Sequence, residues 1–199
     1  MIEMLPEKLQ KLIQIFQKFP GAGPHQAARI AFWFLNQSKA SQEQLIQALN
    51  DTKVFIKVCP RCFMHFEASF NKCIFCENPD RDQKIVAVVA KEQDALAIES
   101  TGRFKGIYHI LGGTISSKKD AASLHIKELL ERTASLSPKS EIILAFDQTT
   151  DGEATSLYLK KSLEKYPVKI TRIGRGLPSG GAIEYTDEET MIGAMENRK

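Results

Sequence analysis

Apolar residues recur every three or four positions in the first third of the chain and then gather into unbroken runs, and this switch separates two unlike halves. Over residues 7–19, Leu9, Leu12, Ile13, Phe16 and Phe19 share a helical face while Lys8, Lys11, Gln14 and Lys18 lie on the others, which predicts an amphipathic helix. Pro20-Gly21-Ala22-Gly23-Pro24 ends it, because Pro20 cannot continue helical bonding and glycines admit dihedrals other residues avoid. Pro24 suits the first turn of a second helix, whose Ala27, Ala28, Ile30, Ala31, Phe34 and Leu35 form a face able to pack closely on the first. Phe32 and Trp33 are assigned to the core, with base stacking as the other use for such rings. A third helix is expected from Ser41, which stands at capping-box spacing from Gln44, through Leu45, Ile46 and Leu49.

The later runs fall at residues 85–89, 107–111, 142–146 and 168–171, with helical patterns at 93–100, 121–134 and 152–165 between them. Continuous apolar runs of this length are what parallel strands buried on both faces require. Strand and helix in alternation predict an α/β unit, a mostly parallel sheet with helices on both faces, whose function gathers at the carboxyl ends of the strands.

Composition narrows this little. With 43% apolar and 26% charged residues the 199-residue chain reads as globular, and a formal net charge of +3 is compatible with nucleic acid without requiring it. No apolar run approaches the ~20 residues that cross a bilayer, and the first residues lack a signal peptide's basic start and apolar core. A soluble, cytoplasmic protein is expected.

The cysteines add chemistry. All four lie in two pairs, Cys59-Pro60-Arg61-Cys62 and Cys73-Ile74-Phe75-Cys76. Two Cys-x-x-Cys knuckles can present four thiolates tetrahedrally to one structural Zn²⁺, leaving no open coordination position. A pair of disulfides is the other reading, and an oxidising compartment is where it would apply. His65, between the pairs, is read as a surface residue of the loop.

Two further stretches carry candidate chemistry. The hairpin 20–24 resembles the helix-hairpin-helix family of DNA-backbone binders: Gly21 and Gly23 let backbone N–H groups approach a phosphate, the next helix turns its positive end there, and His25 and Arg29 add side-chain charge. A plain helical hairpin with Pro-Gly as its turn is the alternative. At the end of the third run stands Asp147-Gln148-Thr149-Thr150-Asp151-Gly152-Glu153, which looks like the Toprim fold of topoisomerases and primases. Catalytic members close their first strand with glutamate and their third with Asp-x-Asp to hold Mg²⁺; here Ala90 and Thr149 replace two of those carboxylates, although Glu92 is near. The same strand imitates a Walker B element, but no Gly-x-x-x-x-Gly-Lys-Ser/Thr loop occurs.

Taken in order, the hairpin, the four-cysteine knuckle, the degenerate Toprim sheet, Arg172-Ile173, the glycine-rich loop with Pro178 and Gly180-Gly181, and Glu184-Tyr185-Thr186-Asp187 are similar to the RecR family of bacterial recombination proteins over essentially the whole chain. The loop 113–120 departs from the family's longer glycine- and proline-bearing form. The resemblance implies a helix-hairpin-helix segment over residues 1–54, a zinc finger over 55–80, a Toprim domain over 81–170 and a subunit-contact loop and helix over 171–199. It implies a non-enzymatic DNA clamp, a tetrameric ring or dimer, acting with RecO and RecF to load RecA on single strands. It further implies one structural Zn²⁺ on Cys59, Cys62, Cys73 and Cys76, DNA contact through Gly21, Gly23, His25 and Arg29, and a partner contact or vestigial metal site at Asp147, Asp151 and Glu153. A Mg²⁺-dependent Toprim nuclease or primase, and a protein-binding zinc module without DNA, are the rival classes.

Overall fold

The computed structural model describes residues 4–70, 72–116, 120–174, 176–177 and 180–198. Close contacts divide the chain into two units, Met1–Ile56 and Lys57–Lys199. Parts of two stretches singled out in the sequence, 117–119 of the shortened loop and 175, 178 and 179 of the glycine-rich loop, lie outside the described residues.

The first unit consists of α1 (Glu7–Phe16), α2 (Pro24–Leu35) and α3 (Lys39–Phe55). Helix α1 stops three residues short of the expected Phe19: Lys18 and Phe19 N–H bond to Ile15 and Phe16 carbonyls, a tightened end. The residue before a proline is pushed out of the helical region, so Phe19 cannot extend the helix. Gly21, at φ 78°, supplies the left-handed turn. The small core pairs Ile13 with Ala27 and Ala31, and Leu9, Leu12 and Phe16 pack around it. Alanines four apart let the two helices approach closely.

Phe32 and Trp33 are not core, contrary to the expectation; Trp33 is 58% exposed. Trp33 lies about 200° around the helix from Ala31, so the face that docks on α1 turns it outward. Helix α3 starts two residues earlier than expected, because Ser38 and not Ser41 is the cap, its hydroxyl accepting from Ser41 N–H at 3.2 Å. Gln42 then reaches back to the carbonyls of Phe34 (2.9 Å) and Leu35 (3.2 Å), closing the end of α2. No residue of α3 is buried.

A two-stranded ribbon, β1 (Ile56–Val58), which begins on the last residue of the first unit, and β2 (His65–Glu67), carries the first cysteine knuckle between its strands. The main sheet has β3 (Asp82–Val89), β4 (Gly106–Ile110), β5 (Glu141–Ala145) and β6 (Lys169–Arg172) in the order β4-β3-β5-β6, all parallel. Helices α4 (Glu92–Glu99), α5 (Ile126–Ala134) and α6 (Thr150–Leu163) connect the strands, and α7 (Glu188–Glu196) follows β6. The expected helix 121–134 is broken: Asp120 caps a single 3-10 turn, and the His125 N–H then bonds to Leu111 O at 2.9 Å before α5 begins.

Strand alternation sorts the buried side chains. Val86, Val88, Ile107, Leu111, Ile142 and Leu144 face α5 and α6 through Leu129, Leu159 and Leu163. Ala87, Val89, Tyr108, Ile110 and Ala145 face the other way, onto Ala95 of α4 and the cysteine knuckle. The second face is therefore covered jointly by one short helix and by Cys59, Cys62, Met64, Cys73, Phe75 and Cys76. Each fully buried aliphatic side chain contributes about 1.5–3 kcal/mol, so the knuckle is part of the sheet's own core.

Candidate metal centre and nucleic-acid surface

Local hydrogen bonds fold the knuckles. Phe63 N–H bonds to Cys59 O at 2.9 Å, Cys59 N–H to Met64 O at 2.8 Å, and Glu77 N–H to Cys73 O at 3.0 Å, so each pair is drawn into a tight turn. The first turn is closed by Phe63 at φ 63°, an unusual conformation for a residue with a side chain. All four sulfurs are buried and lie within 4.8 Å of one another. None is bridged.

That donor set fits a metal. Cys62 Sγ and Cys73 Sγ are 3.6 Å apart, too far for a disulfide and close to the roughly 3.8 Å that Zn–S bonds of about 2.3 Å impose at a tetrahedral angle. Hydrogen bonds from Cys62 and Cys76 push the Cys73 thiol down, whereas the Cys62 thiol is pushed up by its bonds to Cys73 and Cys76 and by burial. Four thiolates would saturate a tetrahedral ion, which leaves no position for a reacting water or substrate.

His65 does not join the cysteines. Its Nδ1 lies 2.5 Å from Glu92 Oε2, and its backbone N–H bonds to the same carboxylate. Glu92, the carboxylate nearest the end of β3, is thus tied to the knuckle's own loop. The pair borders a crevice of about 330 Å³ with Phe63, Ala90, Ile110 and His125. A second tie joins knuckle to sheet. Arg81 stacks over the Phe75 ring at 4.9 Å and pairs with Glu99, which accepts the Tyr108 hydroxyl at 2.7 Å. Arg81, with Tyr108's hydroxyl assisting, holds the Glu99 carboxyl below the usual range against the effect of burial. Neither tie was visible in the sequence, because the partners are separated by 27, 18 and 9 positions.

The carboxylates at the end of β5 do not converge. Asp147 and Asp151 are exposed, while Glu153 is paired with Arg172 at 2.5 Å. Among the described residues the cysteines are the one group of three or more potential ligands that come together. Thr149 caps α6, accepting from Gly152 N–H at 3.2 Å, and Ala90 is buried in the sheet core.

In the first unit, Gly23 caps α2 in an extended conformation with no side-chain cap, and Pro24 follows it. The N–H groups of that first turn have no intrahelical partner. His25 and Arg29 are exposed on the same helix, and its first turn carries no acidic residue. Gly21 and Gly23 have no heavy atom within 4 Å of a notional Cβ, so the hairpin backbone is open to a ligand.

A helical hairpin, a four-thiol knuckle and a parallel four-stranded sheet define a Toprim-domain protein with a helix-hairpin-helix segment. Residues 84–174 match the Toprim domain, residues 9–53 match the helix-hairpin-helix of RecR, and residues 176–199 match the RecR C-terminal family. The recombination protein RecR of Gloeobacter violaceus is 42% identical over 198 residues, covering 98% of this chain and 99% of that protein. Those of Cutibacterium acnes and Deinococcus radiodurans are 41% identical over 192 residues and 40% over 196, covering 94% and 87% of their own lengths. The chain belongs to the RecR family of recombination proteins.

Proposed function

We propose that this chain is a non-enzymatic DNA clamp subunit of recombinational repair, acting in the cytoplasm with RecO- and RecF-type partners to load RecA on single-stranded DNA at gaps. The observation that carries the reading is kinship with recombination proteins over nearly the whole chain, combined with a Toprim corner whose carboxylates do not converge. In this reading Gly21, Gly23, His25 and Arg29 hold the DNA backbone without regard to sequence. Cys59, Cys62, Cys73 and Cys76 hold one structural Zn²⁺, and Asp147, Asp151 and Glu153 serve partner contact. The four sequence segments, 1–54, 55–80, 81–170 and 171–199, carry DNA contact, metal, sheet and subunit contact in turn. A closed ring of two-fold contacts retains DNA by topology, so weak phosphate contacts and the mild net charge suffice.

Native mass spectrometry of the purified chain reports subunit number and metal together. A tetramer, or a dimer that becomes one on DNA, with one zinc per chain supports the clamp. A monomer at every concentration removes the ring. Mg²⁺-dependent DNA cleavage abolished by Asp147→Ala overturns the non-enzymatic reading.

A further inference from the structure

Among the described residues Arg132 is the one buried lysine or arginine, and it pairs with no carboxylate. It comes from α5, on the far face of the sheet, and is only 8% exposed. Its Nη1 donates to Tyr108 O on the edge strand β4 at 2.8 Å and, more weakly, to Arg61 O at 3.4 Å. Arg61 stands between Cys59 and Cys62, and Cys62 O in turn accepts the Ile110 N–H of β4 at 2.8 Å. The guanidinium therefore sits where α5, the sheet edge and the metal knuckle meet.

Carbonyl oxygens do not explain a cation there. Burying a guanidinium is costly unless an opposite charge compensates it, and an uncharged donor would satisfy Tyr108 O equally well. Nε and Nη2 are also buried, and among the described residues neither has a hydrogen-bond acceptor and no carboxylate pairs with the group. Burial pulls the Arg132 pKa below its usual value, and the neighbouring Cys76, Cys62 and Cys59 act in the opposite direction. Four thiolates around one divalent ion sum to two negative charges, in a place lined by Ala87, Val89, Tyr108 and Ile110. That anion needs a counter-charge as much as the arginine does.

We infer that Arg132 is the internal counter-charge of the four-cysteine metal centre, a positioning residue that holds the metal-loaded knuckle against β4 and α5. The inference rests on the zinc reading proposed above. Groups beyond the ligands commonly change metal affinity by about tenfold to a hundredfold when removed.

The test compares zinc affinity of the full chain, by competition with a chromophoric chelator, in wild type, Arg132→Lys and Arg132→Gln. Lysine keeps charge and donor; glutamine keeps a donor and loses the charge. The expected result is near wild-type affinity for lysine and about a tenfold or greater loss for glutamine. Equal affinity of the lysine and glutamine variants, whether both keep or both lose zinc, overturns the counter-charge. A second background guards against a glutamine variant that does not fold. Cys76→His lowers the centre's negative charge by one, so Arg132→Gln should cost less there than with four cysteines. An equal or larger cost overturns the inference. A wild-type chain that neither carries nor takes up zinc removes the metal reading itself, and this inference with it.

Discussion

The carbonyl oxygen of Asp147 occupies the space in which a side chain at Gly152 would begin: a Cβ there would lie 2.1 Å from it. The turn from β5 into α6 is closed by this approach, and the backbone at 147 cannot move without dragging the strand end. Gly152→Ala is expected to destabilise the second unit by about 1–3 kcal/mol or more, the range of overpacking effects. Urea denaturation measures it, and an unchanged midpoint would show that the turn relaxes freely.

Thr149 holds the other side of the same turn as the cap of α6. Thr149→Ala should cost about 1 kcal/mol, whereas Thr149→Asp should keep the cap, since aspartate is at least as good a capping residue. The aspartate also adds a carboxylate between Asp147 and Asp151 in the chain. No Mg²⁺-dependent cleavage is expected from it, because Ala90 supplies no ligand and Glu153 is paired with Arg172. Cleavage by Thr149→Asp, assayed on labelled DNA, would sink that account.

The cysteines share a core with β3, β4 and β5, so losing a ligand should be felt beyond the knuckle. On the proposed zinc reading, Cys73→Ser is expected to abolish stoichiometric metal, lower Tm and open strands β3 and β4 to limited proteolysis, and a chelator should do the same to wild type. A variant that keeps both zinc and Tm contradicts this.

His109 is fully buried on β4, its Nε2 within 2.9 Å of His125 O, and burial pulls its pKa down to about 4. A histidine with a folded pKa below its unfolded value of about 6.5 contributes stability in its neutral form. That contribution is complete above pH 6.5 and is lost as pH falls towards 4, because the unfolded chain binds the proton first. The loss amounts to about 3 kcal/mol at the acid end. His109→Gln should show a shallower fall in stability across this window than wild type; parallel curves would refute the assignment.

The proposed contact with phosphates predicts a salt signature for the hairpin. The double variant His25→Ala, Arg29→Ala should bind DNA more weakly on every sequence, with the slope of log affinity against log salt reduced by about one per lost contact. Fluorescence anisotropy on several oligonucleotides checks it. Unchanged affinity would falsify the role given to these two residues.

Much of the second unit was legible from periodicity. The four apolar runs became β3 to β6 with edges shifted by at most three residues, because a strand buried on both faces leaves an unmistakable record of consecutive apolar positions. Helix ends were less legible, since the choice of cap depends on neighbours: Ser38 and Ser41 are both plausible, and the demand of α2's last carbonyls for Gln42 goes with the earlier start. Trp33 shows the same limit in packing. Apolar character marks a residue that can be buried, while the angular position of Ala27 and Ala31 on the helix decides which face is.

By itself the sequence determined the pairing of the cysteines into two knuckles, the hairpin, the parallel strands and the presence of Ala90 and Thr149 after the first and third apolar runs, because each depends on spacing or identity within a few residues. Only the tertiary structure decided that the knuckle forms one face of the sheet's core, that Glu92 is tied to His65, and that Arg132 reaches the knuckle from the other face. These relations join residues 27 to 71 positions apart, and at such separations burial and charge compensation act through space and leave no period along the chain.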